Sequence, residues 1–209
     1  LLAAANSSGA SSKGSNATPL STIDRVPTII YASRTHSQIS QVIRELRNTR
    51  YRPKHAVLGS RDQMCVNPKV KTKTSTGADI NHACSSLGKE RKCRFRNNLD
   101  GFTPPSDGTG CGNEEVQQPV LDMEDLVSMG HTSKVCPFYF TRGHVADADI
   151  IFVPYNYLFE KTSREGSLKD VKFEDSIIIF DEAHNLESFA SDSASFDLTA
   201  VDIAGCIEE

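Results

Sequence analysis

The residues with the clearest chemistry are Asp181, Glu182 and His184. They lie in the string Asp181-Glu182-Ala183-His184, directly after four apolar residues, Ile177–Phe180. An unbroken Ile/Phe run reads as a strand buried on both faces of a parallel sheet. Ligands of such sheets sit beyond the carboxyl ends of the strands. Two adjacent carboxylates at that rim suit nucleotide hydrolysis, with Asp181 holding Mg²⁺ and Glu182 orienting a water. The competing reading is a solvated strand-to-helix turn whose acidic residues complement a helix N-terminus.

A second set, Ser33-Arg34-Thr35-His36-Ser37-Gln38, follows the short apolar run Thr28–Ala32. Between a strand and a helix, free backbone N–H groups favour anions. Hydroxyls, a guanidinium and a carboxamide are donors to backbone phosphate rather than readers of base sequence. Helix capping alone would account for Ser37 and leave Arg34, Thr35 and Gln38 unused.

The third set is the cysteines, of which there are six: Cys65, Cys84, Cys93, Cys111, Cys136 and Cys206. No C-x-x-C pair occurs, so the spacing does not indicate a zinc ribbon. Cys65, Cys84, Cys93 and Cys136 follow one another at intervals of 19, 9 and 43 residues. Four thiolates on one cubane would tie together this long stretch, and buried or free thiols are the other reading.

Composition bounds these readings. The chain has 209 residues, 38% hydrophobic, with a formal net charge of −4. That length fits one large or two small domains. Between Arg44 and Arg96 there are 14 Lys/Arg against 4 Asp/Glu, whereas the remainder holds 9 against 23. A basic block in an acidic chain is a footprint for a polyanion, or else a solvated basic face. No run approaches the length needed to span a membrane. The first residue is Leu and no signal peptide is evident, so a piece of a longer intracellular protein is expected.

Several elements must position these groups. Residues 1–25 are Ser/Ala/Gly/Asn-rich and read as a disordered linker. Ile39, Val42, Ile43 and Leu46 mark an amphipathic helix capped by Ser37 and stopped near Asn48. Short strands are expected at Thr28–Ala32, Ala56–Leu58, Ala148–Pro154 and Ile177–Phe180. A helix is expected over Leu121–Met129, closed by Gly130, and helix or turn over Pro137–Arg142. Ser163–Asp170 reads as a polar loop. From Arg61 to Cys136 hydrophobic period is lost, and something other than an apolar core must order that segment. Strands alternating with helices predict an α/β fold with a parallel sheet.

Taken in order, S-R-T-H-S-Q, V-L-G-S-R-x-x-x-C, three further cysteines, V-C-P-F-Y-F-x-R, V-P-Y-N-Y-L and F-D-E-A-H-N resemble the XPD-like iron–sulfur DNA helicases of superfamily 2. The resemblance covers about residues 26–205. It implies a partial RecA-like motor domain over 26–60 and 144–209, with an iron–sulfur domain inserted at 61–143. By that resemblance Asp181 coordinates the Mg²⁺ of ATP, Glu182 activates the attacking water, and His184 couples nucleotide state to the DNA face. Cys65, Cys84, Cys93 and Cys136 match the ligands of a 4Fe–4S cluster, while Cys111 and Cys206 match none. Ser33, Arg34 and Thr35 fall in the motif that grips single-stranded DNA, and Arg61 resembles an arginine bracing the cluster domain. Tyr155 and Tyr157 are candidates to stack on bases or to pack beside a strand end.

The implied whole protein is a nuclear, ATP-dependent 5′→3′ DNA helicase. It acts on single-stranded, forked or looped DNA in repair and telomere maintenance. A Fanconi anaemia group J-type helicase and a non-enzymatic, metal-stabilised DNA-binding module are the alternatives. No G-x-x-x-x-G-K-[ST] occurs. The phosphate-cradling loop is expected before Leu1 and the second motor domain after Glu209, so that this piece alone is inactive.

Overall fold

The computed structural model describes residues 26–104, 119–195 and 200. The linker expected over 1–25, Cys111 and Cys206 lie outside the described residues.

Four parallel strands form one sheet: β1 (Thr28–Ser33), β2 (His55–Val57), β3 (Ile150–Pro154) and β4 (Ser176–Phe180), in the order β2-β3-β1-β4. Each strand lies within two residues of its sequence-derived position. The expected burial of Ile177–Phe180 on both faces does not hold. Among the described residues β4 is an edge strand paired only with β1, and Ile177, Ile178 and Ile179 are 49%, 40% and 42% exposed. Two-sided burial belongs instead to β3, whose Ile151, Phe152 and Val153 are fully buried between β1 and β2.

Helix α1 (His36–Arg47) buries Ile39 and Ile43 against the sheet, as its period requires. Its N-cap is Thr35, not Ser37. The Thr35 side chain accepts from the Gln38 N–H, and the Gln38 side chain accepts from the Thr35 N–H, closing a capping box. Ser37 falls inside the first turn, where a hydroxyl cannot serve as that cap.

The described residues between Arg61 and Cys136 include four helices. They are α2 (Arg61–Met64), α3 (Gly77–Lys89), α4 (Arg94–Asn97) and α5 (Met123–Ser133). Helix α3 fully buries only Ile80, with Ala83, Cys84 and Leu87 half-buried along the same face. Helix α5 runs through Gly130 rather than stopping there. A Cβ at Gly130 would lie 2.5 Å from Pro137 Cγ, so this glycine serves close approach and not a helix end. Helix α6 (Pro137–Gly143) follows with Pro137 in its first turn. After β3 come α7 (Asn156–Phe159), α8 (Lys161–Ser167) and, beyond β4, α9 (Leu186–Ala194). Helix α8 replaces the expected polar loop; it buries nothing and so lacks a hydrophobic signal.

The sheet has a core on each face. Ile30, Ala32, Ile151 and Val153 pack with Tyr155, Leu158 and Leu168 on one side. Phe152 and Val57 pack with Ile39, Ile43, Leu126, Cys136 and Phe138 on the other. The thiol-bearing region is thus continuous with one core layer. No described helix is long and apolar enough to cross a membrane.

Candidate functional site

Strands β1, β3 and β4 end at one rim, where Ser33 lies beside Pro154 and Ala32 beside Phe180. Asp181 is the next residue, and its N–H donates to Ala32 O at 2.9 Å, extending the ladder by one step. The acidic pair therefore stands beyond the carboxyl ends of parallel strands. Ser33 Oγ lies 3.2 Å from Asp181 Oδ2, and the Tyr155 hydroxyl donates to the Asp181 carbonyl. Burial and then the Asp181 carboxylate push the Tyr31 phenol up to about 12. The Ser33 and Tyr31 hydroxyls thus stand beside the Asp181 carboxylate, while Tyr155 holds its main-chain carbonyl.

Glu182 has φ 54° and ψ 45°, a left-handed conformation costing a non-glycine residue roughly 1–2 kcal/mol. That turn swings its carboxylate out of line with the strand. Glu182 Oε2 lies 3.5 Å from His184 Nδ1, and both side chains are exposed. One partly buried carboxylate beside an exposed one suits Mg²⁺, which keeps several waters and takes one or two carboxylates plus substrate phosphates.

At the neighbouring turn Ser33 is fully buried, and its hydroxyl faces Asp181 and Gln38. Arg34 and Thr35 are exposed. Tyr155 and Tyr157 are buried in the core layer behind β3, which leaves no face for a base.

Cys65, Cys84, Cys93 and Cys136 are all free thiols lining one cavity, with Val66, Asn67, Val70 and Tyr139 among its walls. Cys65 closes α2, Cys84 lies within α3, and Cys93 and Cys136 precede α4 and α6 without capping them through their side chains. Burial pushes the Cys136 thiol up to about 11 and raises that of Cys65. Among the described residues no three His, Cys, Asp or Glu are gathered to hold a single metal ion. The thiols stand around a cavity rather than on one ion's shell. A donor set of sulfur alone with apolar walls fits an iron–sulfur cluster by ligand type.

The DEAD_2 family model matches residues 31–203. The chain belongs to the DEAD_2 family. It is similar to regulator of telomere elongation helicase 1 of Homo sapiens, 46% identical over 190 residues covering 91% of this chain and 15% of the relative. The Mus musculus protein of that name is 48% identical over 183 residues, covering 88% and 14%. The Oryza sativa homolog is 45% identical over 202 residues, covering 97% and 19%. The chain therefore spans less than a fifth of the length of these relatives. Its fold is similar to a solved structure of a truncated XPD, with a TM-score of 0.51 and 22% identity over 78% of this chain and 42% of that one.

Two arginines of this DEAD_2 chain stack on Phe138. Arg61 lies 4.6 Å from the ring centroid and bonds Asn81 Oδ1 at 3.3 Å. Arg142 lies 3.5 Å from the same centroid. Sequence reasoning singled out Arg61 and passed over Arg142, which is the more connected of the two. Arg142 donates to Gly59 O, Phe138 O, Tyr157 Oη and Ser167 Oγ at 3.1–3.3 Å, joining α6 to the end of β2 and to α7 and α8. Its signal was an arginine four residues after a phenylalanine, one helical turn apart in V-C-P-F-Y-F-x-R.

In the basic block, Lys69, Lys71, Lys73, Lys89, Arg91, Lys92, Arg94 and Arg96 are all exposed. Arg47 is engaged elsewhere: it bonds Val120 O at 2.7 Å and pairs with Asp125, tying α1 to the start of α5.

Proposed function

We propose that the full-length protein is a nuclear, ATP-driven 5′→3′ DNA helicase acting on recombination and telomeric DNA structures. In this reading the described residues form part of its first motor domain and an inserted iron–sulfur domain. The observation that carries it is Asp181-Glu182 at the carboxyl rim of adjacent parallel strands, with the exposed Arg34-Thr35 turn next to it. The relatives' names favour the telomere-elongation branch over the group J branch.

Asp181 would take the Mg²⁺ of ATP, held in place by the Ser33 hydroxyl. The bound cation supplies charge neutralisation on the phosphates. Glu182 orients the water, and its exposed carboxylate can accept a proton from it. His184, next to Glu182, reports the state of that carboxylate to its surroundings. Arg34 donates to single-stranded DNA phosphates, Thr35 holds that turn through its capping box, and the exposed basic residues of α3 and α4 extend that field. Cys65, Cys84, Cys93 and Cys136 would hold a 4Fe–4S cluster, which would supply covalent ordering in addition to the apolar core that this region shares with the sheet.

Glu182→Gln in the full-length protein tests the motor reading. A motor loses ATP turnover and keeps DNA binding. Wild-type protein that binds DNA without hydrolysing ATP would overturn the reading in favour of a scaffold. Iron content of anaerobically purified protein tests the cluster separately; zinc in its place would overturn that part.

A further inference from the structure

The cavity lined by the four thiols contains a polar residue that none of the motifs above includes. Asn67 is 7% exposed. Its Nδ2 lies 3.6 Å from Cys93 Sγ. The amide cannot point the other way, because Asn67 Oδ1 accepts from the Lys69 N–H at 3.0 Å. The Asn67 carbonyl accepts from the N–H groups of Val70 and Lys71, at 3.0 and 2.9 Å, which fixes the turn carrying it. The buried side-chain amide thus aims an N–H at one sulfur of the quartet.

We propose that Asn67 is a positioning and tuning residue for the thiol site, its side-chain amide stabilising negative charge on the Cys93 sulfur. The inference rests on the reading of the quartet as an iron–sulfur site. Hydrogen bonds to the sulfurs are one of the levers by which a protein sets a cluster's potential. Each donated N–H favours the more negative, reduced form, and does so more strongly in a buried, low-dielectric setting. Asn67 is therefore a group that holds the cluster's potential up.

A purely local role is the alternative. Asn side chains close turns by bonding the N–H two residues on, and the Lys69 contact does that. It accounts for Oδ1 and leaves the amide nitrogen at Cys93 unexplained. Asn67→Asp separates the two roles. It keeps an oxygen for the Lys69 N–H and replaces the donor facing Cys93 with a second oxygen. Asn67→Ser retains turn chemistry but is too short to reach the sulfur.

The experiment uses full-length protein purified anaerobically. Iron content and visible absorption come first, then the reduction potential by spectroelectrochemistry and the Fe–S(Cys) stretches by resonance Raman. At a fixed poise, Asn67→Ser should lower the reduced-to-oxidised ratio about tenfold, about 59 mV for a one-electron couple. Asn67→Asp should move it further in the same direction. Wild-type protein in D₂O should show shifted Fe–S(Cys) stretches, a readout that needs no variant. Iron-loaded variants with the wild-type potential, or wild-type stretches insensitive to D₂O, overturn this inference alone. Wild-type protein without iron overturns the cluster reading and this inference with it.

Discussion

The Ser33 hydroxyl faces two acceptors from opposite ends of the chain, Gln38 Oε1 at 2.9 Å and Asp181 Oδ2 at 3.2 Å. It has one proton to donate. That single proton reaches one of them at a time, and so couples the turn proposed to face DNA to the carboxylate proposed for Mg²⁺. Ser33→Ala removes the link. A lost hydrogen bond is worth about 1 kcal/mol, so ATP turnover of the full-length protein on single-stranded DNA should fall about fivefold. Steady-state hydrolysis measures it; unchanged turnover would show that the hydroxyl does not position Asp181.

Glu182 predicts opposite effects on stability and activity. Its left-handed backbone costs roughly 1–2 kcal/mol, whereas glycine adds roughly 0.5–1 kcal/mol of chain entropy. Relief of the backbone strain outweighs the added entropy. Glu182→Gly should leave the denaturant midpoint at or above that of wild type while abolishing ATP turnover. A lowered midpoint would mean that the glutamate side chain contributes more to the fold than its strained backbone costs.

The strands and α1 were legible because apolar runs and an i, i+3, i+4, i+7 stripe mark them directly. The acidic pair was legible for the same reason, since a strand end fixes its place at the rim. What escaped were elements ordered by other means. Helix α3 fully buries only Ile80, and its sequence signal was the capping box of Thr76 with Asp79, followed by Cys84 and Leu87 one and two turns beyond Ile80. The exposure of β4 could not be read from Ile177–Phe180, because composition reports hydrophobicity and not which neighbours are at hand. Ser33 read as a phosphate donor by type, yet the pleat turns it inward to Asp181. The spacing of Arg142 one turn after Phe138 hints at their stacking, whereas its bonds to Gly59, Tyr157 and Ser167 depend on segments distant in the chain.

Arg142 should be a main tie between α6 and the α7–α8 corner. It remains charged although burial lowers its pKa, and removing it leaves Tyr157 Oη, Ser167 Oγ and the Gly59 carbonyl without that donor. Arg142→Ala should cost roughly 2–4 kcal/mol, from lost charged hydrogen bonds and ring stacking. Arg142→Lys should not restore it, because an ammonium lacks the planar fork. Hydrogen–deuterium exchange over Pro137–Gly143 and Asn156–Ser167 reads the effect; protection equal to wild type in the alanine variant would refute it.

His55 makes the start of α5 sensitive to acid. Its Nε2 lies 2.9 Å from the Leu121 N–H and accepts from it in the neutral form. Burial, with lesser repulsion from Arg47 and His144, holds its pKa below 6.5. A lowered histidine pKa means that the unfolded chain binds the proton first. Stability from this group is therefore present above about pH 6.5 and lost as pH falls through the folded value. Exchange protection at Leu121–Asp125, corrected for intrinsic rate, should drop between pH 7.5 and 5.5. His55→Gln should flatten that dependence, and an unchanged slope would assign it to another group.

Arg34 and Thr35 are exposed at the rim of the sheet, next to the carboxylate pair. If Arg34 grips a phosphate, its loss weakens binding equally for all sequences and releases one fewer counterion. Arg34→Ala in the full-length protein should lower the slope of log K against log salt by about 0.7, the value for one single-strand contact. Affinity for unrelated single strands should drop by the same factor. Fluorescence anisotropy across a salt series gives both numbers. A weakened variant with an unchanged slope would show that Arg34 shapes the turn without touching the strand.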